Sequence, residues 1–395
     1  MILEKRFRRA QEAIAACKVD AWLFAGRETN ILSEPAMLFL MPTQIMTRTA
    51  VIVTENQRIV VSGAMQMEEL ERSGLFTKHV LYKTAPDFEG AVAEALRALP
   101  ALKRVALNIS EGDPASDGLT VTQFNSFLRV FEQAGLQPEI VPAAPIMKAV
   151  RARKSDEEVA CMQKAVDAAM DIYDEARGLI RVGMSGKDVQ ALFKSLIQKR
   201  GLGYSWHEPE NPYVSVGPRS SYLCKMPPDD VFIQPGDVVN VDMGVQLNGF
   251  ASDNQRTFYA LMPGETQPPA EVTTAFETLK EINEKVAAAM KVGVNSDDLT
   301  AIGDEVMLRH GYEQGYKGSF GHEIVIFAHN GGISAGYNPY RPDLDKTLEY
   351  NHTFTLEPAI LTSHGRVCQE EVVAVKPDGG MVLSRPQQEV WIIKE

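Results

Sequence analysis

Apolar positions in the first 150 residues alternate between the helical and the strand spacing. In Arg6–Cys17 they recur every three or four residues, which is typical of an amphipathic helix. Ala21–Gly26 is a short continuous apolar run, and Thr49–Val53 and Arg58–Ser62 are two further strand-like segments. This alternation predicts a smaller α/β domain over residues 1–150. Later helices are expected over Met65–Ser73, Ala91–Leu99 and Val121–Ala134, and a strand over Val105–Ile109.

A charged stretch, Ile146–Glu158, separates these segments from the remainder of the chain, so we place a second domain over residues 151–395. A long helix is expected from Asp156 to about Arg181, and another ends at Lys199. Beyond residue 210 the segregation of strands from helices predicts an α+β domain. The expected strands are Tyr213–Val216, Val238–Val245, Gly249–Tyr259, His352–Glu357 and Gln369–Lys376, and the expected helices are Ala270–Met290 and Ser296–His310.

Composition and charge exclude several classes of protein. The 395 residues are 45% hydrophobic and 23% charged, with a formal net charge of -12, which disfavours a general surface for nucleic acid or anionic membranes. The four cysteines show no Cys-x-x-Cys spacing, so neither a disulfide framework nor a zinc knuckle is expected. We identify no signal peptide and no apolar run of about 18 residues, and we therefore expect a cytoplasmic protein.

The most informative segment is a hairpin that brings two acidic residues together. Asn248-Gly249 between apolar runs predicts a type I′ turn. That turn would place Gly244 opposite Asp253, and Asp242 on the same face of the two strands. The β-carbons of Asp242 and Asp253 would then be roughly 7 Å apart. We also expect Gly244 to leave the space beside Asp253 empty.

Two close carboxylates in a half-buried sheet repel each other unless a cation lies between them. The alternative is a solvent-facing strand with two acidic residues. A second pair has the same character, because a chain reversal about Ser363-His364 would place Glu357 directly opposite Glu370. His322 follows a glycine-rich stretch. If these four carboxylates and His322 converge, the set suits two divalent ions such as Mn²⁺, Co²⁺, Fe²⁺ or Zn²⁺.

These motifs, in this order and spacing, resemble those of the pita-bread metallopeptidases, which include prolidase, aminopeptidase P and methionine aminopeptidase. The resemblance extends over about residues 150–395, and the first 150 residues resemble the creatinase/prolidase N-terminal domain. It is carried by Val241-Asp242-Met-Gly, Ser252-Asp253, Gln255-Arg-Thr-Phe, Gly321-His322, Leu356-Glu357-Pro and Glu370-Glu-Val-Val-Ala-Val.

The resemblance implies a pita-bread catalytic domain that hydrolyses a short peptide or peptide-like amide, of the Xaa-Pro type, with a hydroxide bridged by two metal ions. Asp242 would chelate one ion and His322 the other, while Asp253 and Glu370 would bridge them. Glu357 would bind metal and shuttle a proton. Manganese is the favoured metal, and a homodimer with a small-molecule or short-peptide substrate is expected.

The chain departs from the family pattern around the substrate. Cys224 stands where these peptidases usually carry a histidine, Glu323 follows His322 in place of glycine, and Cys368 replaces an arginine. His329 keeps the position of the second family histidine and is carried over as catalytic, although strand parity would place it on the face opposite His322 unless a bulge intervenes. The predicted substrate-binding residues are Cys224, Arg366, Tyr222 and His207.

These departures leave two alternatives open. One is a metal-using relative that acts on a small non-peptide osmolyte, either as a C–N hydrolase or as a lyase of the dimethylsulfoniopropionate type. The other is a non-catalytic binding module, which the retention of all five predicted ligands disfavours.

Overall fold

The computed structural model describes residues 1–31, 34–220, 230–313, 319–341 and 344–394. The chain divides into two units, Met1–Ser155 and Asp156–Glu395. This division lies close to the charged stretch that marks the expected boundary. The identification of the first unit as a creatinase-type domain stays a prediction.

The first unit is an α/β structure built on one six-stranded sheet in the order β4-β3-β2-β1-β5-β6. Its strands are β1 (Ala21–Gly26), β2 (Thr49–Val53), β3 (Arg58–Gly63), β4 (Lys78–Tyr82), β5 (Arg104–Leu107) and β6 (Glu139–Pro142). Its helices are α1 (Ile2–Ala16), α2 (Pro35–Leu40), α3 (Ala64–Arg72), α4 (Phe88–Arg97), α5 (Val121–Ala134) and α6 (Ala144–Arg151).

The continuous apolar run of β1 is explained by its central position. β1 pairs antiparallel with β2 and parallel with β5, and every one of its residues is buried. A strand covered on both faces needs apolar side chains on both faces, which removes the usual alternation. The predicted bounds of β1, β2 and α5 are confirmed.

In its described residues the second unit combines four helices with four small sheets, as expected for an α+β structure. Its helices are α7 (Asp156–Ala176), α8 (Gly186–Lys199), α9 (Ala270–Ala289) and α10 (Leu299–Arg309). Its strands are β7 (Gly203–Tyr204), β8 (Tyr213–Val216), β9 (Val238–Met243), β10 (Val245–Leu247), β11 (Phe250–Ala251), β12 (Asn254–Ala260), β13 (Thr353–Leu356), β14 (Ala359–Thr362), β15 (Gly365–Cys368), β16 (Glu371–Ala374), β17 (Met381–Val382) and β18 (Trp391–Ile393).

The sheets of the second unit are β18-β12-β9-β8, β13-β16-β17, β14-β15 and β11-β10-β7. The apolar faces of α9 and α10 form one buried cluster with side chains of the sheets. Phe276 of α9, Val306 of α10 and Phe354 of β13 all belong to it. The two helices thus cover one side of the core, and the acidic residues at the strand ends lie outside this apolar cluster.

The Asn248-Gly249 turn fixes the register of the first hairpin as predicted. Both residues have positive φ, 53° and 76°, as a type I′ turn requires. Leu247 pairs with Phe250, and the same register continues to Asp242, which lies opposite Gln255. Within this register Gly244 falls opposite Asp253.

The expectation of an empty space at Gly244 is wrong. A β-carbon at Gly244 would lie 2.3 Å from the Ser252 carbonyl oxygen, 2.6 Å from the Trp206 ring and 2.8 Å from the Ser205 β-carbon. The glycine is needed because these groups pack directly against the backbone. Both strands are also interrupted here, between β9 and β10 and between β11 and β12, whereas the sequence predicts two continuous strands.

The second acidic pair, Glu357 and Glu370, also lies where strand pairing is interrupted, between the β13–β16 ladder and the β14–β15 hairpin. Leu356 pairs with Glu371 in the β13–β16 ladder, and Ala359 pairs with Cys368 in the β14–β15 hairpin. Both pairings belong to one register, which places Glu357 directly opposite Glu370. The predicted reversal about Ser363-His364 is confirmed, since Thr362 pairs with Gly365.

Candidate metal centre

Asp242 and Asp253 approach each other where β9 ends and β12 begins. Asp253 is buried, with 4% of its surface exposed, and a hydrogen bond between the two carboxyl groups affects the pKa of each. Behind them the hydroxyl of Tyr173 lies 3.0 Å from the Val241 carbonyl oxygen and 2.6 Å from the Asn254 carbonyl oxygen. This buried tyrosine ties α7 to both strands beside the two aspartates.

A fully buried arginine positions the strand that follows Glu370. The Arg256 guanidinium donates to the Glu370 carbonyl oxygen at 2.8 Å and to the Glu371 side chain at 3.1 Å. The Asn254 amide also donates to the Glu370 carbonyl oxygen, at 3.2 Å. Asn254 and Arg256 of β12 therefore hold the backbone of Glu370 in place, while its side chain is 1% exposed beside the aspartates.

His322 reaches the acidic cluster from a segment that pairs with β13. Its backbone N–H donates to the Thr355 hydroxyl at 3.1 Å, and its carbonyl accepts from the Thr355 N–H at 2.9 Å. Its Nε2 atom lies 3.5 Å from Asp253 Oδ2 and 3.4 Å from Glu357 Oε1. One ligand atom each from Asp253, His322 and Glu370 lie within 4.8 Å of one another.

Burial makes this cluster electrostatically unfavourable without a cation. It raises the pKa of Asp242 to about 8 and, together with the neighbouring negative charges, raises the pKa values of Asp253 and Glu370 well above their usual range. The pKa of Glu357 is raised as well, chiefly by burial. The cause is physical proximity of four acidic groups in a region from which water is largely excluded.

The donor set fits divalent metal ions. Asp242 Oδ1 and both carboxylate oxygens of Glu370 are buried and have no hydrogen-bond partner within the described part of the chain. Buried carboxylate oxygens require a proton, a donor or a cation. Burial also lowers the pKa of His322 to about 4, which keeps its imidazole neutral, as a metal ligand must be.

His329 lies against His322, with ring centroids 4.5 Å apart. Strand parity alone would place it on the opposite face, but the chain does not stay extended between the two histidines, which is the exception that the prediction allowed for. A tight reversal intervenes, in which the Val325 N–H donates to the Phe327 carbonyl at 3.3 Å. Burial lowers the pKa of His329 to about 4, so this imidazole is also neutral near pH 7.

A cavity of about 250 Å³ opens beside these residues. Its lining includes His322, His329, Glu357 and Arg341. Arg341 donates to the Gly332 carbonyl oxygen, and its positive charge contributes to the lowered pKa values of both histidines. No acidic partner of Arg341 occurs among the residues that the structure describes. The positively charged Arg341 therefore lines the same cavity as His322, His329 and Glu357.

The predicted substrate-binding residues have different positions. Cys224 and Tyr222 lie outside the described residues. His207 is exposed and does not line the cavity. Arg366 donates to the Gln255 side chain at 2.8 Å, and Gln255 in turn donates to Glu357 Oε2 at 3.1 Å. The assignment of substrate contacts to these four residues stays a prediction.

The glutamate that replaces glycine after His322 has a buried partner. Glu323 Oε2 lies 3.0 Å from His352 Nε2, and each side chain is 1% exposed. Glu323 also pairs through its backbone with Phe354 of β13. This contact connects the segment that carries His322 to the strand that leads into Glu357.

Sequence reasoning missed Gln255, Arg341 and His352 as members of the site. Gln255 could have been found, because the hairpin register places it directly opposite Asp242. No sequence signal identifies Arg341 or His352, since no helix or strand occurs among the described residues between 324 and 352.

The family profile of metallopeptidase family M24 matches residues 160–380, which is more than half of the chain. The chain belongs to metallopeptidase family M24. The match covers Asp242, Asp253, His322, Glu357 and Glu370. Membership confirms the predicted class, a metal-dependent peptidase, and the findings do not favour the non-peptide alternative. Family M24 enzymes use divalent metal ions, which agrees with the donor set described above.

Individual relatives of this M24 chain are distant. A Xaa-Pro dipeptidase from Pyrococcus furiosus is 24% identical over 277 residues, which is 69% of this chain and 74% of the relative. A Xaa-Pro dipeptidase from Pyrococcus horikoshii is 21% identical over 352 residues, which is 86% of this chain and 94% of the relative.

The fold is shared over nearly the whole length. The solved structure of a Xaa-Pro dipeptidase from Bacillus anthracis superimposes with a TM-score of 0.77 at 19% identity, covering 99% of this chain and 100% of that one. The predicted pita-bread fold preceded by an N-terminal domain is thereby confirmed. Within the described residues no helix has the length and apolarity needed to cross a membrane.

Proposed function

We propose that this M24 peptidase hydrolyses Xaa-Pro dipeptides with a pair of divalent metal ions, Mn²⁺ being the favoured metal. The observation that carries the proposal is the convergence of four acidic side chains and a neutral histidine beside a small cavity that also contains His329 and Arg341. The names of the two Pyrococcus relatives support the choice of an Xaa-Pro substrate.

Asp242, Asp253, His322, Glu357 and Glu370 would hold the ions. A bound pair of divalent ions supplies a Lewis acid for the scissile carbonyl and lowers the pKa of a water molecule toward neutrality. Their positive charge would also allow all four carboxyl groups to ionise together, which burial otherwise opposes.

Glu357 is best placed for proton transfer. Its side chain is 26% exposed and lines the cavity, whereas Asp253 and Glu370 are buried. A carboxylate at the cavity wall can accept a proton from the attacking water and return it to the departing proline nitrogen.

His329 would stabilise the negative charge that develops on the carbonyl oxygen. Because its pKa is about 4, the ring is a neutral N–H donor near pH 7 and retains this state over the working pH range. Arg341 would bind the free carboxylate at the other end of a dipeptide, since a guanidinium recognises a carboxylate through paired hydrogen bonds. Together these two residues would fix the orientation of the scissile bond.

The proposal is tested by release of free proline from purified protein. Xaa-Pro dipeptides, Xaa-Pro-Yaa tripeptides and dipeptides without proline are supplied with Mn²⁺, Co²⁺ or Zn²⁺, and Asp253→Asn is the isosteric control. We expect proline release at about 1 s⁻¹ or faster from Xaa-Pro dipeptides, lost in the control. A protein that binds two ions and cleaves none of these peptides with any metal would contradict the proposal.

We further propose a cytoplasmic homodimer, on the basis of the sequence resemblance. Light scattering coupled to gel filtration tests the oligomeric state directly. A particle with the mass of one chain at micromolar concentration would contradict it.

A further inference from the structure

A chain of hydrogen bonds runs behind Glu357, on the side away from His322. The Arg366 Nη1 atom donates to Gln255 Oε1 at 2.8 Å, and Gln255 Nε2 donates to Glu357 Oε2 at 3.1 Å. The same Arg366 nitrogen lies 3.4 Å from Asn240 Oδ1. The three strands β15, β12 and β9 thus contribute one side chain each to a network that ends on a candidate catalytic carboxylate.

The arginine determines which way the amide of Gln255 points. A guanidinium has donors only, whereas an amide has a carbonyl oxygen at one end and an NH₂ group at the other. With Arg366 on one side, Gln255 must present its oxygen to the guanidinium and its NH₂ group to Glu357. The reverse orientation would place the Gln255 NH₂ group against the Arg366 guanidinium and the Gln255 oxygen against the Glu357 carboxylate. Arg366 therefore ensures that Gln255 donates a hydrogen bond to Glu357.

The amide in turn determines how the Glu357 carboxylate is oriented. Gln255 is 1% exposed and lies directly opposite Asp242 in the β9–β12 ladder, so its backbone is fixed beside the metal centre. It binds Glu357 Oε2, which leaves Oε1 directed at His322 Nε2, 3.4 Å away. The side chain of Glu357 is 26% exposed, and a hydrogen bond with the Thr355 side chain also holds its carboxylate.

We propose that Gln255 and Arg366 are positioning residues for Glu357: Arg366 sets the orientation of the Gln255 amide, and the amide presents one carboxylate oxygen of Glu357 to the metal centre. The proposal rests on the proposed function only for the role of Glu357. It differs from the sequence-based prediction that Arg366 contacts substrate, and the two make different kinetic predictions.

The test compares Gln255→Leu, Arg366→Met, the double variant and Arg366→Lys with the parent protein. Mn²⁺ affinity is measured by calorimetric titration of the metal-free proteins, and kcat and KM are measured for an Xaa-Pro dipeptide. Each single variant should lose about 10- to 100-fold in Mn²⁺ affinity or in kcat, as is usual for residues that orient a metal ligand, with KM nearly unchanged. The double variant should be no worse than either single one, because both act through one chain of bonds.

Arg366→Lys should recover part of the loss, since an ammonium also donates to the Gln255 oxygen. Leu361→Ala, at an exposed position of the same hairpin, should resemble the parent. Circular dichroism and thermal unfolding show whether each variant is folded, and the shape of leucine is chosen to keep Gln255→Leu folded.

Two results would overturn the proposal. A KM raised tenfold or more by Arg366→Met at unchanged kcat and Mn²⁺ affinity, with Gln255→Leu behaving like the parent, would make Arg366 a substrate contact. Fully multiplicative losses in the double variant would show that the two residues act independently. If the parent cleaves no peptide at all, the proposed function fails, while the calorimetric comparison still decides this proposal.

Discussion

The imidazole rings of His322 and His329 are in contact and tilted by 43° to each other, with 4.5 Å between their centroids. Both pKa values are about 4, lowered chiefly by burial, and at His329 the neighbouring His322 ring lowers it further. Two neutral rings in contact can have different roles, one as a metal ligand and the other as a hydrogen-bond donor to substrate. One has a nitrogen directed at acidic oxygens, and the other lies along the cavity with Arg341.

This division predicts different losses for the two histidines. His322→Asn should abolish tight binding of one metal ion, whereas His329→Asn should keep the metal content and lower kcat by roughly 100-fold, the effect of removing one donor to a developing oxyanion. Metal content by mass spectrometry and steady-state kinetics check both. Equal metal loss in both variants would show that His329 is itself a ligand.

The acidic cluster predicts how the stability of the metal-free protein depends on pH. A carboxyl group whose pKa is higher in the folded state keeps its proton there while the unfolded chain releases it. Raising the pH through this interval therefore favours the unfolded state. For Asp242 the interval runs from the ordinary value of 3.8 to about 8.

The free energy of unfolding measured with urea in a chelator should consequently fall between pH 5 and pH 8. Each carboxyl group that behaves in this way contributes up to about 1.4 kcal/mol per pH unit. Asp242→Asn removes one such group, so its profile should be flatter than that of the parent, and saturating Mn²⁺ should stabilise the parent most at the higher pH. Parallel profiles for parent and variant without metal would contradict the raised pKa.

Much of the metal centre follows from short-range rules in the sequence. The Asn248-Gly249 turn fixes the register of β9 against β12, because a two-residue turn leaves no freedom in the pairing. That register alone places Asp242 diagonally from Asp253. The reversal at Ser363-His364 is likewise a two-residue turn, and the four paired residues on each of its arms set Glu357 opposite Glu370.

Other parts of the site depend on packing that no local pattern encodes. The ring of Trp206 fills the space at Gly244, and the sequence contains no signal for that contact. His329 approaches His322 through an irregular reversal, which the period-two rule for strands cannot describe. Gln255 occupies a predictable position, but its role emerges only once Arg366 is seen to fix its amide.

Arg341 predicts a preference for substrates with a free carboxylate next to the scissile bond. Arg341→Met should raise KM for Xaa-Pro dipeptides by about tenfold or more, since a hydrogen bond to a charged group contributes about 1.5–3 kcal/mol. The corresponding Xaa-Pro amides should be affected much less. Arg309→Met, which alters an exposed arginine paired with Glu281, is the matched control and should behave like the parent. Equal losses for acid and amide substrates would exclude carboxylate binding by Arg341.

Gly321 makes the contact between the His322 segment and β13 possible. A β-carbon at this position would lie 1.9 Å from the Thr355 carbonyl oxygen and 2.6 Å from the Thr355 carbonyl carbon. These are backbone atoms of the strand that leads to Glu357, so relief requires the two segments to separate. Separation would also lengthen the hydrogen bonds that His322 makes with Thr355.

Gly321→Ala should therefore lower the free energy of unfolding by about 3 kcal/mol or more, at the upper end of the usual cost of overpacking. It should also weaken metal binding, because His322 and Glu357 move apart. Gly90→Ala, in α4 and with no atom within 4 Å of the added β-carbon, is the matched control and should be neutral or stabilising by up to about 1 kcal/mol. Urea unfolding and calorimetric Mn²⁺ titration measure both effects, and a Gly321→Ala protein with the parent's stability and affinity would show that the two segments tolerate separation.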